Sequence, residues 1–258
     1  MKFKGLGAFI RRYFFNPEWR CAACGKEIFG GGHFCAECLA KLPFISGYIC
    51  GHCGRPVPAP AEYCEACKNR ITELDCGRSV FRYEYPVSGL ILRFKYGGQK
   101  YLGDMFAEYI SSAYFKNYFA ADFICYVPMT KKSEKKRGYN HGRLLAEKVS
   151  LSVGVPVEHC LVKVKETKRQ AKLSRKERVS NLSGAFRVAD KKAVNGKTAL
   201  IVDDVTTTGA TAQELCTVLK KAGARRVLLL TAAEVTPGKE DDKRTKPVRK
   251  LFKLKGER

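Results

Sequence analysis

Acidic side chains are in short supply: 25 Asp and Glu stand against 48 Lys and Arg, a formal net charge of +23 at pH 7. A surface that basic suggests a polyanionic partner such as nucleic acid, an anionic membrane surface or a phosphorylated metabolite, the plain alternative being a solvated basic face. Long apolar runs are missing as well, and no stretch approaches the length of a transmembrane helix. In the N-terminal "MKFKGLGAFIRRYFF" the apolar run is only "GLGAFI", stopped by Arg11 and Arg12, too short for a signal-peptide core. A short amphipathic helix, lying on a partner or on the body of the protein, fits that segment better. With no export signal, the 12 cysteines are expected in a reducing, cytoplasmic compartment, where metal ligation is favoured over disulfides. Apolar content is not short: 45% of the residues are hydrophobic and 28% charged, which argues against wholesale disorder. At 258 residues the chain can bury a sizeable core and carry a second small module.

The cysteines form four CxxC pairs: Cys21/Cys24, Cys35/Cys38, Cys50/Cys53 and Cys64/Cys67. "CAACGKEIFGGGHFCAEC" and "CGHCGRPVPAPAEYCEAC" align so that every cysteine in the second lies 29 positions after its counterpart in the first. Gly25 matches Gly54, and an aromatic, Phe34 or Tyr63, precedes each second pair. This is an internal repeat whose period is set by the residue that ligates metal. Two thiolates three apart on a tight turn point at one centre, and two such turns supply the tetrahedral sulfur shell that Zn²⁺ prefers. Each half is too small to fold on an apolar core, so the metal supplies the stability. Closure within each repeat, as in a tandem zinc ribbon, is favoured over interleaving, and four cysteine ligands make each site structural. Four thiolates on Zn²⁺ carry two net negative charges, so two filled sites leave the chain strongly basic. With complete cysteine sets, His33 and His52 are expected at the surface, and Cys125 and Cys216 as small core residues.

Beyond Cys67 the pattern alternates between helix and strand. "SGLILRFKYGG" and "YLGDMFAEYISSAYF" have helical spacing, with Leu102, Phe106, Tyr109 and Ile110 on one face. "DFICYVPM" is a short strand stopped by Pro128, and a helix from about Asn140 to Ser152 follows. "CLVKVKE" and "GAFRV" are strands around a polar helix in "SRKERVSNL". "TALIVDDV" is a central parallel strand, and the next helix starts near Gly209, carries Ala212, Leu215, Cys216 and Leu219 on one face, and stops at Gly223. "RRVLLLTAAE" is one more buried strand. The order argues for an α/β domain with a parallel sheet. The expected division is a basic segment at 1–19, a double zinc ribbon at 20–70, the α/β domain at 71–236 and a basic, disordered tail at 237–258.

"IVDDVTTTGAT" at 201–211 carries the chemistry. Two like charges side by side, Asp203 and Asp204, are expected where the strand ends and a ligand begins, since ligands of open α/β sheets bind beyond the carboxyl ends of the strands. A glycine-containing loop that opens a helix offers backbone N–H groups and the positive end of the helix dipole to an anion. Thr206, Thr207, Thr208 and Thr211 add hydroxyl donors. A phosphate in the loop, with vicinal hydroxyls on the carboxylates, describes a sugar phosphate.

The same stretch resembles the phosphoribosyl pyrophosphate (PRPP) motif of the type I phosphoribosyltransferases. The resemblance implies ribose contacts at Asp203 and Asp204, the residues assigned to catalysis, and a 5′-phosphate cradle over Val205, Thr206, Thr207, Thr208, Gly209, Ala210 and Thr211. "RGYNH" at 137–141, "RQAKLSRKERVSNLSGAF" at 169–186 and the cysteine repeat together resemble the ComF family. Those proteins join a double zinc ribbon to a phosphoribosyltransferase-like domain and are associated with DNA uptake in natural transformation. This chain has His141 where that family usually has Gln, and Arg169 where Pro often precedes Gln170. The implied fold is a type I phosphoribosyltransferase-like parallel sheet flanked by helices, behind a small N-terminal double zinc-ribbon module.

Two functions follow from the resemblance. In an enzyme, Mg²⁺-PRPP would bind with its pyrophosphate near Thr130 and Lys131, closed over by Lys135, Lys136 and Arg137. A nucleobase or amine acceptor would then displace the pyrophosphate, with positioning and charge stabilisation doing most of the catalysis. In a DNA-handling protein, the basic surface would hold single-stranded DNA. From Lys131 to Arg178, basic residues outnumber acidic ones roughly three to one. Lys135, Lys136, Arg137, Tyr139, Arg169, Arg175 and Arg178 mix cations with an aromatic ring, as stacked bases and phosphates require. The second reading is preferred on charge, with membrane-associated uptake machinery as a further partner.

Overall fold

The computed structural model describes residues 19–68, 72–167 and 175–235. The N-terminal segment to residue 18, Arg169 and the tail from residue 236 lie outside the described residues, as do the side chains of Lys136, Arg175 and Arg178. The chain opens with two single helical turns, α1 (Ala36–Leu39) and α2 (Glu65–Lys68), one in each cysteine repeat. Strand β1 (Cys76–Arg82) leads to helices α3 (Val87–Tyr96) and α4 (Leu102–Lys116). Strand β2 (Phe123–Tyr126), helices α5 (Lys131–Arg137) and α6 (His141–Val153) and strand β3 (Leu161–Lys163) follow. Then come α7 (Arg175–Leu182), β4 (Phe186–Val188), β5 (Thr198–Thr206), α8 (Ala210–Lys221) and β6 (Arg226–Glu234).

Four strands make one parallel sheet in the order β1-β6-β5-β2. Strands β5 and β6 sit in the middle and are covered on both faces, so their sequences are continuous apolar runs. Leu200, Val202, Leu228 and Leu230 pack on one side with Phe94, Phe106, Ile110, Leu145 and Val149 from α3, α4 and α6. Ala199, Ile201, Val227 and Leu229 pack on the other with Leu215, Cys216 and Leu219 from α8. Phe106 is fully buried in the first cluster, and truncating it to Ala would cost about 3–5 kcal/mol. Cys125 and Cys216 are core residues, both 0% exposed, as their apolar neighbours predict.

Three features depart from expectation. Strand β5 does not end on its two acids but runs through them to Thr206, with Asp203 paired to Thr231, and Thr206 to Glu234. Strands β3 and β4 stay out of the parallel sheet and form a two-stranded antiparallel unit. Strand β1, whose Arg78, Ser79 and Arg82 mask its alternation, forms a sheet edge that the helical and strand patterns had not revealed. The cysteine repeats cover that edge. The Ile45 N–H donates to the Val80 carbonyl at 2.9 Å, Arg82 N–H to Pro43 at 2.8 Å and Gly77 N–H to His52 at 2.7 Å. An edge closed this way offers no free backbone row to another strand. Among the described residues, no helix is long and apolar enough to cross a membrane.

Candidate functional site

The four CxxC pairs assemble within repeats, not across them: Cys21, Cys24, Cys35 and Cys38 make one cluster, and Cys50, Cys53, Cys64 and Cys67 the other. Cys24 and Cys35 sulfurs lie 3.8 Å apart, as do those of Cys53 and Cys64. That matches the edge of a tetrahedron built on 2.3 Å Zn–S bonds, about 3.8 Å. The Cys53 and Cys64 N–H groups also point at the Cys50 sulfur, at 3.5 and 3.2 Å, which supports thiolate character there. Gly25 and Gly54 both have φ of +76°, so the repeat extends to backbone conformation. Four soft donors at these spacings fit Zn²⁺, and the closed shell makes its role structural.

The histidines of the repeats are less exposed than the sequence suggests. His33 Nε2 lies 2.9 Å from Glu108 Oε2, tying the first repeat to α4. His52 is half-buried against Tyr63, at 5.7 Å between ring centroids.

The two acids do different things. Asp204 is 2% exposed and meets Lys95 Nζ of α3 at 2.8 Å. The contact is an ion pair, with no aligned hydrogen bond to Asp204 Oδ2. Burial alone would raise the Asp204 carboxyl, but Lys95, and then His141, hold it below the usual range. In this conformation the charge of Asp204 is matched from inside the protein by Lys95. Asp203 stays half-buried, and its Oδ1 accepts the Asp204 N–H at 2.9 Å. Burial, followed by the charge of Asp204, pushes Asp203 up to about 8, so it carries a proton at neutral pH.

His141 Nε2 lies 3.5 Å from Asp204 Oδ2, and its Nδ1 lies 3.0 Å from Arg137 Nη1. A guanidinium only donates, so Nδ1 accepts and the ring proton sits on Nε2, facing the carboxylate. Burial lowers His141 to about 4, against the pull of Asp204, and the ring is neutral. His141, Asp203 and Asp204 bring three donor atoms within 4.8 Å of one another. Lys95 matches the charge of Asp204 and the His141 proton lies on Nε2, so Asp203, once it gives up its proton, is the carboxylate that would hold a cation. That suits Mg²⁺, which binds by one or two carboxylates together with the phosphates of its ligand.

The last two residues of β5 and the loop after it, Val205 to Gly209, are half-exposed. Gly209, at φ +76°, is the N-cap of α8 and makes no side-chain cap. The positive end of a 12-residue helix therefore opens on the threonines. From the other side, Arg55 reaches the loop: Nη2 donates to the Thr207 carbonyl at 3.0 Å, and Nε donates to Glu234 Oε1 at 2.6 Å.

Other sequence-assigned residues are already engaged. Thr130 caps α5, accepting from Ser133 N–H at 3.2 Å, and donates to Glu166. Its hydroxyl is not free for pyrophosphate, while Lys131 beside it is exposed. Arg137 lies over the Tyr96 ring at 5.0 Å, and the Tyr139 hydroxyl donates to the Phe94 carbonyl. These two face the α3 side of the site instead of an open groove, whereas Lys135 is exposed. Sequence reasoning missed Lys95 and Arg55. Lys95 had a signal: it falls four residues after Ile91 on the buried stripe of α3, where a lysine needs an anionic partner. Arg55 had none.

A parallel sheet with an acid-bearing strand and a phosphate-binding type of loop, edged by two cysteine tetrads, defines a phosphoribosyltransferase-like protein with a double zinc ribbon. Residues 11–68 match the double zinc ribbon domain, and residues 139–255 match the phosphoribosyl transferase domain. "Competence protein ComFC" of Bacillus subtilis is 33% identical over 183 residues, covering 69% of this chain and 73% of that protein. "Competence protein F" of Haemophilus influenzae is 32% identical over 222 residues, covering 83% and 95%. "DNA utilization protein YhgH" of Escherichia coli is 28% identical over 216 residues, covering 73% and 92%. The chain belongs to the ComF family.

Proposed function

We propose that this chain binds Mg²⁺-PRPP at the β5–α8 loop and single-stranded DNA on its basic surface, and that it acts in DNA uptake during competence. One observation carries the ligand: the positive end of α8, with Gly209 at its N-cap and its Ala210 N–H on the Thr208 hydroxyl at 3.4 Å, opens on three half-exposed threonines, one residue beyond the half-buried Asp203 and the buried Asp204. The 5′-phosphate takes the loop amides and hydroxyls of Thr206 to Thr211, and the ribose hydroxyls take Asp203. Asp204 and Lys95 form the floor beneath them. Mg²⁺ bound with the ligand would be held beside Asp203 and would offset the charge of the pyrophosphate. The charge of +23 and the exposed Lys131 and Lys135 support the nucleic-acid half of the reading. The printed names of the competence and DNA-utilization relatives support the biological setting.

Calorimetry with Mg²⁺-PRPP on the zinc-loaded chain tests the ligand. Binding is expected for the wild type, and a loss of at least tenfold for Asp203→Ala, order-of-magnitude for a charge-assisted contact of about 1.5–3 kcal/mol. Equal affinity in the variant refutes the site. Release of pyrophosphate with an acceptor present would make the protein an active phosphoribosyltransferase. Single-stranded DNA is expected to weaken with salt, the slope being about −0.7 per neutralised phosphate. Salt-independent binding, or none, refutes the DNA half.

A further inference from the structure

We infer that Arg55 is a positioning residue through which the second zinc site holds the phosphate loop in its binding conformation. The inference rests on the reading of residues 205–211 as a phosphate cradle. Arg55 lies two residues after the ligand Cys53, on the strand side of the CxxC turn. The turn itself is locked onto the sheet. Gly54 approaches the Gly77 carbonyl so closely that an added Cβ would sit 2.4 Å from its oxygen, and Gly77 N–H bonds back to His52. Arg78 Nη1 donates to the Gly51 carbonyl at 3.0 Å, from the same strand. Zinc fixes the turn, the turn is seated on β1, and Arg55 leaves that seat with little freedom.

Its side chain then spans a cleft lined by His52, Arg55, Thr206, Thr208, Gly209 and Glu234. Across the cleft, one guanidinium makes both contacts that matter. Its Nε is paired with Glu234, a carboxylate 2% exposed at the end of β6, and its Nη2 holds the Thr207 carbonyl. A planar fork can hold a fixed carboxylate and a loop carbonyl together, where an ammonium would choose one. Holding the Thr207 carbonyl fixes the peptide plane between Thr207 and Thr208, and so directs the Thr208 N–H to the side opposite Arg55. Carbonyl oxygens repel phosphate and N–H groups attract it, so this orientation favours the anion. The second ribbon is on this account part of the ligand site without touching ligand.

The test uses the full zinc-loaded chain and the variants Arg55→Met and Arg55→Lys. Hydrogen exchange, measured without ligand, is expected to quicken at least tenfold across 205–211 in both, with β1 and β6 protection and a zinc content of two per chain unchanged. Ribose 5-phosphate affinity is expected to fall about tenfold in Arg55→Met, roughly the value of one hydrogen bond to a charged group. Should Arg55→Met lose zinc, Arg55→Lys decides alone, since it keeps the charge beside Glu234 and lacks the fork. Loop exchange and ribose 5-phosphate affinity at wild-type values in Arg55→Lys overturn the proposal. If wild type binds no ribose phosphate at all, the cradle reading fails, and exchange still decides whether Arg55 orders the loop.

Discussion

Replacing Lys95 by Met leaves Asp204 buried without its counter-charge. At 2.8 Å and an effective dielectric constant of about 20, the pair attracts by roughly 6 kcal/mol before desolvation is subtracted. Breaking a buried pair typically costs about 3–5 kcal/mol, and the 20% exposure of the Lys95 side chain lets water in and moves the expectation to about 3 kcal/mol. The double variant K95M/D204N removes both charges and should lie within about 1 kcal/mol of wild type. Urea unfolding with zinc in excess, followed by far-UV circular dichroism, measures all four corners of the cycle. The pH dependence has a definite sign. The folded-state pKa of Asp204 lies below its unfolded value, so the pair's contribution is present above the unfolded pKa and is lost as pH falls through the folded one. The deficit of K95M should therefore narrow below about pH 4. Strictly additive single variants, or a deficit that is the same at pH 7 and pH 3, would refute the account of Asp204 as an internally neutralised acid.

Asp203, protonated in the empty site with a pKa pushed up to about 8, should release close to one proton at pH 7 when Mg²⁺-PRPP binds. Calorimetry in buffers of different ionisation enthalpy reads that release, and its absence shows that Asp203 does not ionise against the ligand. Because that pKa is raised, the empty protein loses stability as pH climbs from about 4 to about 8, and Asp203→Asn should flatten this trend in pH-dependent melting. His141, lowered to about 4, gives the opposite slope: stability rises with pH between about 4 and 6.5, and His141→Gln should remove the rise. Gly25→Ala and Gly54→Ala share φ +76°, a strain of about 1–2 kcal/mol, but only at Gly54 does the new Cβ collide with a carbonyl. Gly54→Ala should thus cost clearly more in denaturant unfolding, and equal losses would show that the second repeat is not seated on β1 as described.

What was legible in the sequence was whatever local chemistry dictates. The spacing of the cysteines follows from the geometry of a tetrahedral sulfur shell, so all eight ligands were legible and closure within each repeat was the favoured grouping, which the structure bears out. Helices α4, α6 and α8 were legible because one face of each meets the sheet, and that leaves a period in the residues. Strand β1 was not, because an edge strand covered by loops carries arginine and serine where a central strand carries valine and leucine. The site was half legible. "DDVTTTGAT" revealed the loop and the acids, since both need particular residue types next to one another. Their partners come from far along the chain: Lys95 stands in another helix, and Arg55 joins residues 152 and 179 positions away. Nothing periodic or adjacent encodes such contacts, and only packing reveals them.

The placement of the two repeats explains why a metal module belongs on this fold at all. A parallel sheet with only four strands has edges close to its site, and β1 is one of them. A helix could cover that edge only by adding an apolar face, whereas a metal-knit loop covers it with backbone groups that bond directly to the strand. The first repeat touches the α3 side: Arg93 Nη1 donates to the Ala22 carbonyl at 2.7 Å, two residues before the lysine that neutralises Asp204. The second touches the loop side through Arg55. The first repeat is thus tied to the helix that carries Lys95, and the second to the loop after β5. Cysteine ligation gives those ties a rigidity which apolar packing in so short a segment could not supply, because about 30 residues bury too little surface to fold unaided.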